Sequence, residues 1–129
     1  MSEVLPRSAM TQVTLSDIKK KATAAYWALW SQARSVGRDV KIYLHWTAGR
    51  YGQFWDDYHI QIDRGGEIYM PAGVGLDDIL YGTWRRNTGS IAISLLGCYD
   101  ATPEGLGNEP PTAAQIETMS QVVTVLANA

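Results

Sequence analysis

The sequence predicts an α/β fold, a central mixed β-sheet flanked by helices. Three observations predict it. Apolar residues recur at helical spacing from Leu15 to Val36, and again from Ile116 to Leu126. Between these stripes, residues 41–46, 58–63 and 90–96 alternate with the two-residue period of a strand. The 129 residues are 46 % apolar with a net charge of −2, which suffices for one domain with its own core and excludes wholesale disorder.

Residues 1–14 are mixed and polar around Pro6 and read as a lead-in to a single domain over 15–129. In the first helix the apolar positions are 15, 18, 22, 25, 26, 29, 33 and 36, with Thr14 or Ser16 as cap and Gly37 where a C-terminal cap belongs. Lys19, Lys20 and Lys21 read as a solvated face, and Trp27 and Trp30, at the stripe's edge, as packing aromatics. In the first strand Ile42, Leu44 and Trp46 point one way, Tyr43 and His45 the other. In the second, Tyr58, Ile60 and Ile62 oppose His59, Gln61 and Asp63. Arg64-Gly65-Gly66 is a tight turn into a short return strand at 67–70, giving a hairpin. The strand at 90–96 has Ile91, Ile93 and Leu95 on its buried face. The loops 47–57 and 71–89, rich in Gly, Asp, Arg and Trp, are long enough to form a functional rim. Thr112 and Gln115 make a capping box, and Ile116, Met119, Val123 and Leu126 form the stripe of the last helix.

Several function classes are excluded. A slightly acidic chain has no surplus of cations to neutralise phosphates, so no nucleic-acid partner is expected. One cysteine, Cys98, excludes an intrachain disulfide framework and a multi-cysteine zinc module. No apolar run reaches the roughly 20 residues of a membrane span. The segment MSEVLPRSAMTQ lacks a leader's basic-then-apolar pattern, so the expectation is cytoplasmic synthesis.

The residues suited to chemistry are few. His45 ends a strand and opens the loop HWTAGRYG, a position from which an imidazole can reach a metal in a loop-rimmed cleft. A hydrogen-bonded structural histidine is the plainer alternative. Tyr58 reads as a core aromatic, or as a donor to a developing oxyanion. Cys98 has no basic neighbour in sequence and reads as buried and structural. Asp56-Asp57 and Asp77-Asp78 read as solvated turns, and Arg85-Arg86 as an exposed loop or an anion site.

Four stretches, in order, resemble one family. They are YLHWTAG (43–49), YHIQIDRGGEIY (58–69), WRRNTGSIAISLLG (84–97) and PTAAQIETM (111–119). The second is the most specific, matching a hairpin of the form Tyr-His-hydrophobic, Asp-Arg-Asp-Gly, Tyr. Together they resemble the zinc-dependent N-acetylmuramoyl-L-alanine amidases, which include amidase-type phage lysozymes and peptidoglycan recognition proteins.

The resemblance implies a mixed sheet with flanking helices, one Zn2+ ion, and hydrolysis of the amide joining muramic acid to L-alanine in peptidoglycan or a muropeptide. It implies His45 as the first zinc ligand and Tyr58 beside the reacting groups. It implies Trp46, Thr47, Trp84 and Asn87 as substrate contacts along the cleft, and His59 as a non-ligand. Three departures follow. The family's second and third ligands lie after the helix at 112–127, so this chain is expected to be the N-terminal portion of the domain, completed by a C-terminal segment or second chain. Trp84 stands where many members have His, and Ser94 where some have Glu. A non-catalytic peptidoglycan-binding module on the same scaffold is the alternative expectation.

Overall fold

The computed structural model describes residues 3–81, 87–99, 101–102, 105 and 107–128. The expected lead-in is not merely a lead-in: it contains strands β1 (Val4–Leu5) and β2 (Met10–Val13). In β2 only the two end residues are buried, so its sequence shows no two-residue alternation, and pairing with a later strand defines it.

Helix α1 (Leu15–Ser35) starts at a Thr14 capping box, whose hydroxyl accepts from Asp17 N at 3.1 Å while Asp17 accepts from Thr14 N at 2.9 Å. It ends in a Schellman arrangement: Gly37 has φ +71, Gly37 N donates to Arg34 O, and Arg38 N donates to Ala33 O. Its buried face is Ile18, Ala22, Ala25, Leu29 and Ala33. Truncating Leu29 to Ala would cost about 2–5 kcal/mol. The three lysines are exposed. Trp30 is half-buried, but Trp27 does not pack as expected: it is 80 % exposed, with its ring in a T-shaped contact with Tyr26, centroids 5.1 Å apart. The buried stripe turns Trp27 away from the sheet.

The remaining elements are β3 (Lys41–Trp46), β4 (Phe54–Trp55), β5 (Ile60–Ile62), β6 (Ile68–Pro71), β7 (Ser90–Leu95) and α2 (Ala113–Ala127). Five strands form one mixed sheet in the order β2-β6-β5-β7-β3; β1 and β4 make a small separate ribbon. The pairs β2–β6 and β6–β5 are antiparallel, β5–β7 and β7–β3 parallel. The hairpin turn closes by Asp63 N to Glu67 O, with Gly66 at φ +90.

Both helices pack on one face, where Ile60, Ile62, Ile91, Ile93 and Leu95 meet Ile18, Ala25, Leu29, Val122 and Leu126 in a single apolar cluster. On the other face Met10, Phe54, Tyr69 and Leu96 form a smaller one. The α2 capping box forms as expected, but the helix is rotated from the expected phase. Gln115, Val122 and Leu126 are buried, and Ile116 is 57 % exposed. The cause is the Gln115 amide, which donates to Ile62 O at 2.9 Å and Leu96 O at 2.8 Å and so must face the sheet. Thr112 also donates to Arg64 O, tying this cap to the hairpin.

Strand β3 is the sheet's edge. Lys41 N and Thr47 N donate to β7 and its flank, so the odd residues point their backbone groups inward. The N–H and C=O groups of Ile42, Leu44 and Trp46 face the outer edge, where no described strand pairs. Leu44 and Trp46 are 55 % and 51 % exposed on the helix face. Beside them runs an apolar groove of about 490 Å3, lined by Tyr26, Leu29, Trp30, Ile42, Ile91 and Leu126 among others.

Candidate active site

The strand register lays a row of side chains across the face that carries no helix. Gln12 pairs with Tyr69, Tyr69 with Gln61, Gln61 with Ser94, and Ser94 with His45. Partners in register share a face, so His45 closes a polar row at the edge of the sheet. It also sits near the carboxyl end of a parallel strand, where open α/β sheets present ligand-binding loops.

Tyr58 comes to His45 from the neighbouring loop, with ring centroids 5.3 Å apart and planes inclined at 46°. Both side chains are half-buried, and burial keeps both neutral. It pulls the His45 imidazole below its ordinary value near 6.5. Burial, then the Asp57 carboxylate, push the Tyr58 phenol above its ordinary value of 10. At neutral pH the pair is therefore a neutral imidazole beside a protonated phenol. Asp57 is itself buried at 8 % exposure, unlike the solvated turn residue expected.

His59 is committed elsewhere. It is 1 % exposed; its Nδ1 accepts from Ala92 N at 3.1 Å, and its Nε2 lies 2.6 Å from Asp78 O, to which it donates. Neither ring nitrogen is left for a metal. Cys98 is 1 % exposed, and burial raises its thiol, as a structural cysteine requires. Ser94 is fully buried, and its hydroxyl has no hydrogen-bond partner among the described residues.

The other expected contacts are dispersed. Thr47 follows His45, but its Oγ1 accepts from Gly49 N at 3.1 Å and Gly97 N at 3.2 Å, bracing the loop after β3 against the end of β7. That loop is braced again by Glu109, which accepts from Tyr51 N at 2.8 Å and pairs with Arg50. The pleat puts Trp46 on the opposite side of β3 from His45. Asn87 lies before the start of β7, whereas His45 is level with Ser94; the Ser90–Ser94 span alone is about 13 Å. The structure thus brings Tyr58 to His45 and leaves Asn87 at the other end of the strand. Trp84, like Arg85 and Arg86, lies outside the described residues.

Sequence reasoning missed one polar residue here. Gln61 is fully buried, and its amide bonds both backbone groups of Trp55. A glutamine between two isoleucines was the available signal.

A sequence profile for N-acetylmuramoyl-L-alanine amidases matches residues 12–129. The chain belongs to that family. No curated protein and no solved structure matches it. Membership brings peptidoglycan amide hydrolysis as the amidase family's reaction, and the mixed sheet with two helices agrees with an amidase fold. No helix among the described residues is long and apolar enough to cross a membrane. Among those residues, no three His, Cys, Asp or Glu side chains gather as a metal site.

Proposed function

We propose that this chain supplies part of the catalytic centre of a zinc-dependent N-acetylmuramoyl-L-alanine amidase, with His45 as a metal ligand and Tyr58 as the oxyanion donor. The observation that carries this reading is the neutral, half-buried His45–Tyr58 pair at the edge of the sheet face that carries no helix. A zinc ligand must present an unprotonated imidazole, and a phenol must keep its proton to stabilise a developing oxyanion. Burial favours both states.

One imidazole does not hold zinc alone; the ion takes three protein ligands in catalytic sites. His45 fits as one donor, and the further donors come from polypeptide outside residues 1–129, as a C-terminal segment or a second chain. The bare edge of β3, with Leu44 and Trp46 exposed beside an apolar groove, is a surface on which such a polypeptide would pair and pack. When bound, zinc supplies a Lewis acid for the scissile carbonyl and an activated water as nucleophile. The protein's part is to hold the muramoyl–alanine amide at the half-buried His45–Tyr58 pair. There the Tyr58 hydroxyl donates to the carbonyl oxygen as negative charge gathers on it in the tetrahedral intermediate. Thr47 shapes the rim next to His45. Trp84 serves as a contact for parts of the peptidoglycan substrate extending beyond the reacting amide, whereas Trp46, on the face given to the completing polypeptide, and Asn87, at the far end of β7, do not.

The test is zinc titration and muropeptide cleavage with the 129-residue chain, alone and joined to a completing polypeptide. Alone, the chain binds zinc weakly and cleaves nothing; completed, it does both, and His45→Ala abolishes both while the fold persists. Full activity of His45→Ala in the completed enzyme overturns the reading. Tight binding and cleavage by the chain alone overturn the need for further ligands.

A further inference from the structure

We propose that Gln61 is a positioning residue that sets the His45–Tyr58 contact by clasping the turn from which Tyr58 projects. The importance of that contact for catalysis rests on the reading above; the clasp itself does not. Gln61 sits on β5, two strands in from His45 and on the same face. It is fully buried, so each polar atom of its amide needs a partner. All its partners lie in one turn. Oε1 accepts from Trp55 N at 2.9 Å, and Nε2 donates to Trp55 O at 2.6 Å and to Tyr58 O at 3.3 Å.

The first two bonds imitate the two-way exchange of a β-ladder, with a side-chain amide standing in for a strand. The third bond reaches the carbonyl of Tyr58 itself. On the other side of Tyr58, His59 N donates to Ala92 O at 3.0 Å, and the His59 ring accepts from Ala92 N. Tyr58 is therefore fixed to β5 by Gln61 and to β7 by His59. With the backbone so held, its ring lies across the row against His45. An apolar residue at 61 would leave both backbone groups of Trp55 and the Tyr58 carbonyl without this partner, and the 55–58 turn would lift from the sheet. An isoleucine or valine would satisfy the strand pattern equally well, so a buried glutamine here has a specific task.

The experiment is proton NMR of the 129-residue chain, reading the cross-peaks between the His45 imidazole and the Tyr58 ring. Wild type shows them. Gln61→Leu loses them while the methyl shifts of the α1–α2 core stay in place. Gln61→Glu loses them when ionised, because a carboxylate accepts from Trp55 N but donates to nothing, and regains them on acidification, when the acid donates again. Gln115→Leu removes a buried amide remote from this turn; it lowers stability and keeps the contact, as a purely structural role at position 61 also would. Should Gln61→Leu fail to fold, the pH response of Gln61→Glu decides. Cross-peaks retained in folded Gln61→Leu, or insensitive to ionisation in Gln61→Glu, overturn the clasp. None of these readouts uses amidase activity, so the catalytic reading, tested on the completed enzyme, and this one stand or fall separately.

Discussion

His45 and Tyr58 are shifted in opposite senses by the same cause. Removal from water disfavours the charged form of each, which is the cation for one and the anion for the other. If the phenol stabilises the oxyanion, Tyr58→Phe in the completed enzyme lowers kcat about 10- to 1000-fold with little change in KM. Steady-state kinetics on a soluble muropeptide checks this; an unchanged kcat returns Tyr58 to a packing role. Three residues beyond His45, Ala48 holds φ +59, a left-handed conformation that a Cβ makes costly. Ala48→Gly should raise stability by about 0.5–1 kcal/mol, read as an increase in the urea midpoint. The sequence offers His45 as a candidate because it ends a strand and opens a glycine-bearing loop, but spacing alone leaves a structural histidine as the plainer reading, and the resemblance to the amidases is what singles it out. It does not reveal that Thr47 bonds the backbone of Gly97, 50 residues away, because only the fold brings them together.

The elements were legible where local chemistry governs them. Thr14 and Thr112 cap their helices, Gly37 ends α1, and the Gly66 turn makes its hairpin. They were illegible where tertiary contact governs. No periodicity marks β2, which exists because β6 offers it an edge. A hydrophobicity pattern misplaces the phase of α2 because it counts Gln115 as polar and turns it outward, whereas two carbonyls of the sheet turn it in. One close approach between elements makes a sharp prediction. A Cβ on Gly89 would lie 2.6 Å from the backbone N and Cα of Ala33, and Gly89 has φ +69. Gly89→Ala would have to push α1 off the start of β7. We expect a loss of about 2–4 kcal/mol, measured by denaturant unfolding, with the NMR shifts of α1 displaced.

At the scale of the whole molecule, both histidines bind protons less readily when folded, each chiefly because of burial. Below the ordinary value near 6.5 the unfolded chain holds more protons, so acidification favours unfolding. The stability from these two groups is complete above that value and is lost as pH falls through their lowered folded values. Melting curves taken from about pH 8 to about pH 5 should show a level midpoint, then a decline beginning near 6.5. His59→Gln, which keeps a side-chain donor for Asp78 O but cannot titrate, should make that decline shallower. An unaltered slope would show that His59 does not contribute.

The parallel pairing of β3 with β7 also has a kinetic consequence. The ends of those strands join residues 50 apart in sequence, whereas the β5–β6 hairpin closes over only a few residues. Closing the longer loop costs about 2 kcal/mol more in chain entropy. The hairpin should therefore be organised early and the edge strand last, with His45 arriving after the scaffold that receives it. Pulse-labelled hydrogen exchange during refolding would show amides of β5 and β6 protected ahead of those of β3. The chain would then assemble a hydrophobic framework first and bring the His45 imidazole to Tyr58 as one of the final events of folding.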